Sequence, residues 1–286
     1  MNWPQTLFAG LLAVFALLLL AVGVSARRFD RQIQGLVDDL RDDAVSAGDP
    51  FRLANVADAP APVRRYLETV LDEGQPLVET VEIEQSGEFR LGGPDGDWRA
   101  FTAGQHCSRD PPAFVWDAQI EIAPLLPARV LDCYVRGAGR LRARLRGAIP
   151  VASAGPDPEM DEGELLRYLA ESVWYPTALI PDDRLEWEPI DDTSARATLS
   201  HGDRTASLVF EFDAEGLVER VTGERYRQEE GDTATWVGHF RAYERRNGRL
   251  VPTEGEVAWK LPEGESSYWR GTIDRIEHRD GTTGQL

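Results

Sequence analysis

The residues of this 286-residue chain that could carry chemistry are few, and each has a plainer use. Glu171 lies one turn after Arg167 in a stretch that is otherwise apolar at Leu165, Leu166, Leu169, Ala170 and Val173. A carboxyl among apolar side chains is pushed up in pKa and can act as an acid or base. Glu164, Arg167 and Glu171 are also spaced for ordinary ion pairing along a helix. Asp182-Asp183 and Asp191-Asp192 read as paired carboxylates for metal or acid–base work, but they follow Pro181 and Ile190 at turn positions, and a turn role is the reading those neighbours favour.

Arg140, Arg142, Arg144 and Arg146 share one strand face opposite Leu141, Ala143 and Leu145. Guanidinium groups match phosphate geometry, so such a row could hold lipid phosphates or another anion. The alternative is a solvated face paired with acidic neighbours such as Glu121. His106, His201, His239 and His278 stand singly, without zinc-site spacing, and there is neither a Gly-x-Ser-x-Gly elbow nor a phosphate-binding loop ending in Gly-Lys-Ser/Thr. No metal and no cofactor is expected.

Aromatic residues are the more informative class. Trp98, Trp116, Trp174, Trp187, Trp236, Trp259 and Trp269 fall in or beside expected elements, either as an aromatic core or as the lining of an apolar ligand pocket. The candidate ligand-binding set is Trp116, Arg167, Leu169, Glu171, Trp174, Phe210 and Trp259.

These residues need a scaffold, and period-two patterning supplies it. Strands are expected over residues 78–91, 98–106, 114–123, 129–136 and 140–149, then 184–188, 195–201, 205–213, 217–227, 234–245, 250–261 and 268–278. Turns are expected at residues 92–96, 110–112, 124–127 and 137–139. Between the two runs, residues 161–174 form a helix whose apolar stripe is Leu165, Leu166, Leu169 and Val173. A short helix over residues 62–71 precedes the first strand. The fold class is therefore mainly β with α elements: a curved antiparallel β-meander, a half-barrel, wrapped around a central inserted helix.

Residues 7–24 carry no charge and are long enough for a membrane-spanning helix, giving an anchor over residues 1–27, a juxtamembrane spacer and linker over residues 28–61, and one domain over residues 62–286. A cleaved signal peptide is the alternative, because Val24-Ser25-Ala26 resembles a cleavage site, but no basic residue precedes the apolar run. Arg27, Arg28 and Arg31 follow it, which places the domain on the cytoplasmic side of a single-pass membrane protein. The net charge of -18 excludes ordinary nucleic-acid binding, and the basic residues are almost all arginine, with Lys260 the one lysine. An acidic, lysine-poor surface fits work in high salt. Cys107 and Cys133 should lie on strands separated by another and remain two free thiols.

The stretches Pro111-Pro112-Ala113-Phe114-Val115-Trp116-Asp117-Ala118, residues 163–179, Trp187-Glu188-Pro189-Ile190-Asp191-Asp192 and residues 255–264 resemble a family of uncharacterised bacterial and haloarchaeal proteins of the DUF6544/DUF6920 type. The likeness spans nearly everything from Pro62 to Glu277, and that family brings no activity with it. The order of strands, central helix and strands is also similar in architecture to the LolA-like and LppX-like half-barrels of lipoprotein carriers, in which a curved sheet holds a lipid under helices. Fold analogy does not establish function. The expectation is a non-enzymatic, membrane-tethered protein binding an apolar ligand such as a lipid or isoprenoid. The rivals are an enzyme using Glu171 as a buried carboxylate in the same cavity, and a structural scaffold with a solid core.

Overall fold

In the computed structural model, which describes residues 3–46, 48–123, 126–228 and 230–280, the chain begins with one long helix, α1 (Trp3–Asp43), followed by α2 (Ala61–Val70). Six strands follow: β1 (Val78–Leu91), β2 (Asp97–Ser108), β3 (Ala113–Ala123), β4 (Leu126–Val135), β5 (Ala138–Leu145) and β6 (Ile149–Ala154). Helix α3 (Pro158–Glu171) then leads through short 3-10 turns to β7 (Leu185–Pro189), β8 (Ser194–His201), β9 (Arg204–Phe212), β10 (Val218–Arg227), β11 (Asp232–Arg246), β12 (Arg249–Leu261) and β13 (Gly264–Asp280).

All thirteen strands join one antiparallel sheet in the order β6-β5-β4-β3-β2-β1-β13-β12-β11-β10-β9-β8-β7. Two meanders therefore meet at a β1–β13 seam, and α3 connects the two free edges. Although β5 and β10 belong to opposite halves of that order, α3 packs on β4 and β5 as well as on β9 and β10. The sheet must curl round the helix to allow this, which is the expected half-barrel. Close approach is built in at Gly139, where an added Cβ would stand 2.6 Å from the Met160 carbonyl oxygen.

Local chemistry explains α3. Asp157 caps it by accepting from the Met160 amide at 2.8 Å, and Pro158 occupies its first turn, where a missing N–H is harmless. The apolar stripe is wholly covered: Leu165, Leu166, Leu169 and Val173 are at most 2% exposed. Helix α2 closes one end of the half-barrel, burying Val63, Tyr66, Leu67 and Val70, with the Tyr66 ring 5.8 Å from Phe212.

Two expectations need correction. The run over residues 140–149 is two strands: Arg146 and Gly147 both have positive φ (50° and 68°), the conformation of a tight hairpin turn, so the chain reverses between β5 and β6. The unbroken alternation of arginine and apolar residues hid that turn. The expected turn at residues 124–127 lies partly outside the described residues. The second concerns the spacer expected over residues 28–61, whose first part, residues 28–43, packs on the sheet. This part continues α1 and buries Phe29, Ile33, Val37 and Leu40 against Ala113, Val115, Leu131, Cys133 and Val135 on the outer face of β3 and β4. Asp30 pairs with Arg129, Arg136 meets Asp39 at 3.2 Å and Asp43 at 2.6 Å, and Arg41 reaches Glu82 at 2.9 Å. By contrast, the apolar first half of α1 is bare, with Phe8, Leu12 and Leu17 all more than half exposed.

Cys107 and Cys133 are free and buried, on β2 and β4 with β3 between them, and they point to opposite faces of the sheet. Burial pushes both thiols up to about 12. The thiolate is the reactive form, so neither should react with a maleimide until denaturant is added, and then both should, without reductant. Leu169→Ala should destabilise the domain by about 2–5 kcal/mol in denaturant titrations, because the site is sealed on every side and can collapse little.

Candidate functional site: a buried charge network beneath an apolar mouth

Helix α3 has a second face. Glu164, Arg167 and Glu171 follow one another at three and four residues, so they line one side of the helix, away from the leucine stripe. Each meets a polar residue at an inward position of a strand. Glu164 Oε1 accepts from Arg225 Nη2 on β10 at 2.6 Å. Arg167 Nη1 donates to Asp132 Oδ2 on β4 at 2.7 Å, and its Nε donates to Glu171 Oε1 at 2.8 Å. Glu171 Oε2 accepts from Gln105 Nε2 on β2 at 2.6 Å. The line continues from Gln85 Nε2 on β1 to Gln105 Oε1 at 3.1 Å, and from Trp116 Nε1 on β3 to Gln85 Oε1 at 2.9 Å. The Arg167 guanidinium also lies over the rings of Phe114 (4.7 Å) and Trp116 (5.2 Å), where the ring faces attract a cation.

Electrostatics follow from the count of charges: three carboxyls, Asp132, Glu164 and Glu171, face two guanidiniums, Arg167 and Arg225. Burial, reinforced by the nearby Asp132 carboxyl, pushes Glu164 up to about 8 despite the opposing pull of Arg225. Burial likewise raises Asp132. Among the described residues, Asp132 Oδ1 and Glu164 Oε2 have no hydrogen-bond partner. Near neutrality the network therefore carries a proton on Glu164, and Arg167, whose pKa its three carboxyl neighbours raise, stays charged. Such a group can exchange a proton or hold a polar head group. No group of three or more His, Cys, Asp and Glu side chains suited to a metal ion occurs among the described residues.

The seven candidates from the sequence divide into three sets. Trp116, Arg167 and Glu171 come together in the network. Leu169, Trp174 and Phe210 belong to the sealed core, Trp174 with its ring edge-on to Phe240 at 6.3 Å and Phe210 against Trp187 at 5.0 Å. Trp259 stands apart, stacked on Tyr268 at 6.1 Å. Asp132, Glu164, Arg225, Gln85 and Gln105 were not among the candidates. Their signal was a polar residue at an inward position of an otherwise apolar alternation, as with Gln105 between Ala103 and Cys107, or Asp132 between Val130 and Tyr134. The aspartate pairs are turn residues: Asp182 Oδ1 accepts from the Arg184 and Leu185 amides, and Asp191 Oδ1 from the Thr193 amide and the Ser194 hydroxyl. Two members of the arginine row have partners on neighbouring elements. Arg142 donates to the Ala154 and Gly155 carbonyls, and Arg144 lies 4.7 Å from the Phe29 ring of α1.

Trp259 marks the end of the half-barrel that α2 does not close. There Phe89, Leu91, Ile122, Ala143, Val257, Trp259 and Tyr268 stay half-buried, packed on the core but still facing solvent. Register sets Phe89 and Val257 both opposite Trp269, and Ile122 two residues beyond Ile120, which pairs with Phe101. This mouth lies at the same end as the β5–β6 turn, where Ser25 of α1 donates its hydroxyl to the Ala148 carbonyl at 2.8 Å.

Comparison with known proteins supports the resemblance read from the motifs. The sequence profile of a family of unknown function, DUF6920, matches residues 57–278. Among solved structures, a LolA superfamily protein from Nitrosomonas europaea aligns at 14% identity over 70% of this chain and 86% of its own, with a TM-score of 0.39. A β-barrel-like protein of the domain of unknown function DUF1849 from Brucella abortus aligns at 10% identity over 72% of this chain and 99% of its own, with a TM-score of 0.23. No curated protein matches.

The buried carboxyl fixes a pH dependence. Between the ordinary glutamate value of 4.5 and about 8, the folded chain holds a proton on Glu164 that the unfolded chain releases. The stability this group contributes is full below that window and falls as pH rises through it. Glu164→Gln keeps an acceptor for Arg225 and removes the titration, so its melting temperature relative to wild type should climb from pH 4.5 to pH 8 and then level off.

Proposed function

Since the chain belongs to DUF6920, a family of unknown function, its role has to come from its own geometry, and we propose a non-enzymatic, membrane-tethered binding protein that takes an apolar chain, such as that of a lipid or isoprenoid, into the open mouth of the half-barrel. One observation carries this reading: the end of the half-barrel where inward apolar side chains remain half-exposed is the end from which the bare apolar part of α1 departs.

Residues 10–43 of α1 contain a window apolar enough to cross a bilayer, with none of that window buried against the rest of the protein. Embedded that way, α1 holds the mouth next to the lipid phase. An apolar ligand then passes between bilayer and protein with little exposure to water. Arg27, Arg28 and Arg31 put the domain on the cytoplasmic side. Helix α3 is a fixed floor in this scheme, since its leucine stripe is sealed, and its charged face lies beneath the mouth to meet a polar head group. The acid–base alternative keeps one feature in its favour, the burial that raises the pKa of Glu164 beside Asp132, although the expected catalytic carboxyl was Glu171.

A diazirine-bearing phospholipid, photolysed with the full chain in nanodiscs, tests the proposal. Adducts are expected both on residues 7–24 and on mouth residues such as Ile122, Val257 and Trp259. Val257→Trp, which fills the mouth, should remove the mouth adducts and leave those on α1. Adducts confined to α1 in the wild type would leave a scaffold.

A further inference from the structure

The two edges of the sheet are built differently. Edge strand β7 runs Leu185-Glu186-Trp187-Glu188-Pro189, with two charges and a terminal proline, devices that discourage another strand from pairing. Edge strand β6 runs Ile149-Pro150-Val151-Ala152-Ser153-Ala154; it contains a proline, as β7 does, but has no charge at all. Ile149 is 55% and Val151 54% exposed, and Leu126, at the start of β4, is 37% exposed. An uncharged, apolar edge open to water invites a partner.

The position of that edge identifies what covers it. The β5–β6 turn touches α1 where its apolar run ends: the Ser25 hydroxyl donates to the Ala148 carbonyl, and the Ala26 methyl lies 3.8 Å from where a side chain on Gly147 would begin. Ser25 immediately follows Val24, the last residue of the uncharged run. Since α1 is one unbroken helix rising about 1.5 Å per residue, the boundary of the hydrocarbon lies within about a turn of the hairpin. Arg144 over the Phe29 ring and the Asp30–Arg129 pair clamp the two elements together just beyond that level.

From this geometry, and resting on the membrane-spanning reading of α1, we propose that the β5–β6 hairpin is a second membrane contact: Ile149 and Val151, with Leu126 two strands away at the same end of the sheet, seat in the headgroup–acyl boundary next to α1. The attraction is apolar. A chain with a net charge of -18 is repelled by an anionic surface, so it is burial of these side chains, with Arg27 and Arg28 at the headgroup level, that holds the hairpin down. Two points of attachment then fix the tilt of the half-barrel and keep its mouth turned to the bilayer.

Single cysteines at exposed positions test this in the full chain, because Cys107 and Cys133 are buried and escape labelling. Ile149→Cys, Val151→Cys, Leu12→Cys and Ile190→Cys are each coupled to a polarity-sensitive NBD fluorophore in phosphatidylcholine nanodiscs holding one copy. Ile190 is 49% exposed after β7, away from the hairpin. Expected are blue-shifted emission and quenching by a lipid carrying a nitroxide near the top of its chain at positions 149 and 151, as at position 12, with neither at 190. If position 12 is quenched while 149 and 151 respond only to aqueous iodide, the second contact is overturned and the anchor stands. If position 12 is not quenched, the membrane reading falls, and the proposed function with it. Shielding at 151 that requires two copies per disc, accompanied by cross-linking between copies, would also overturn the proposal and assign the edge to strand pairing.

Discussion

A guanidinium inside the half-barrel is the constraint on which the rest of the structure depends. Arg167 cannot shed its charge, so its burial is tolerable only where carboxylates meet it with good geometry. Asp132 comes from β4 and Glu171 from the same helix, and their contacts at 2.7 and 2.8 Å fix the rotation of α3 about its axis. With that rotation set, Glu164 accepts from Arg225 on β10, and the two halves of the sheet are tied to one helix, by the Arg167–Asp132 ion pair on one side and the Arg225–Glu164 hydrogen bond on the other. The leucine stripe then has a single direction in which to face. Removing either partner would strand a buried charge, which is why the ion pairs and the apolar core behave as one unit.

The long first helix extends the same logic outward. Its apolar half needs a non-aqueous environment, and its second half finds one on the sheet through Phe29, Ile33, Val37 and Leu40. The strands it covers, β3 and β4, also supply Trp116 and Asp132 to the interior, so one pair of strands serves as the seat of α1 on one face and as part of the charge network on the other. Helix α1 and the network are separated by the thickness of a single sheet.

Much of this was legible in the sequence, for identifiable reasons. Strands such as β9 alternate strictly, and Gly and Pro punctuate many strand ends, so twelve of the thirteen were readable from period and turn chemistry. The helix at α3 announced itself by spacing. The docking stripe on α1 did not, because Arg27, Arg28, Asp30, Arg31 and Asp38 crowd the intervening positions and read as a solvated spacer. The charge network was half visible: Glu164, Arg167 and Glu171 have the right spacing, but one sequence offers no way to tell a buried ion pair from a surface one until the facing strands, with Asp132 and Arg225, are in place. Gln85 and Gln105 were hidden for the same reason, since a lone inward glutamine is meaningful only beside its partner.

The seam between β1 and β13 has a consequence for how the chain reaches its native state. Glu84 and Arg275 face each other across it although they lie 191 residues apart, and Ile83 is opposite Ile276. This central ladder can close only after the final strand has left the ribosome. Until then β1 is an open edge in the middle of the future sheet, and contacts of such long range slow folding and leave unpaired strands exposed to their neighbours. The first meander, by contrast, can settle against α1 as soon as β4 emerges, since Ala113, Val115, Leu131, Cys133 and Val135, which the helix covers, all lie on β3 and β4. Assembly thus has a built-in order, with the α1 side of the first meander organised early and the spine of the sheet zipped last.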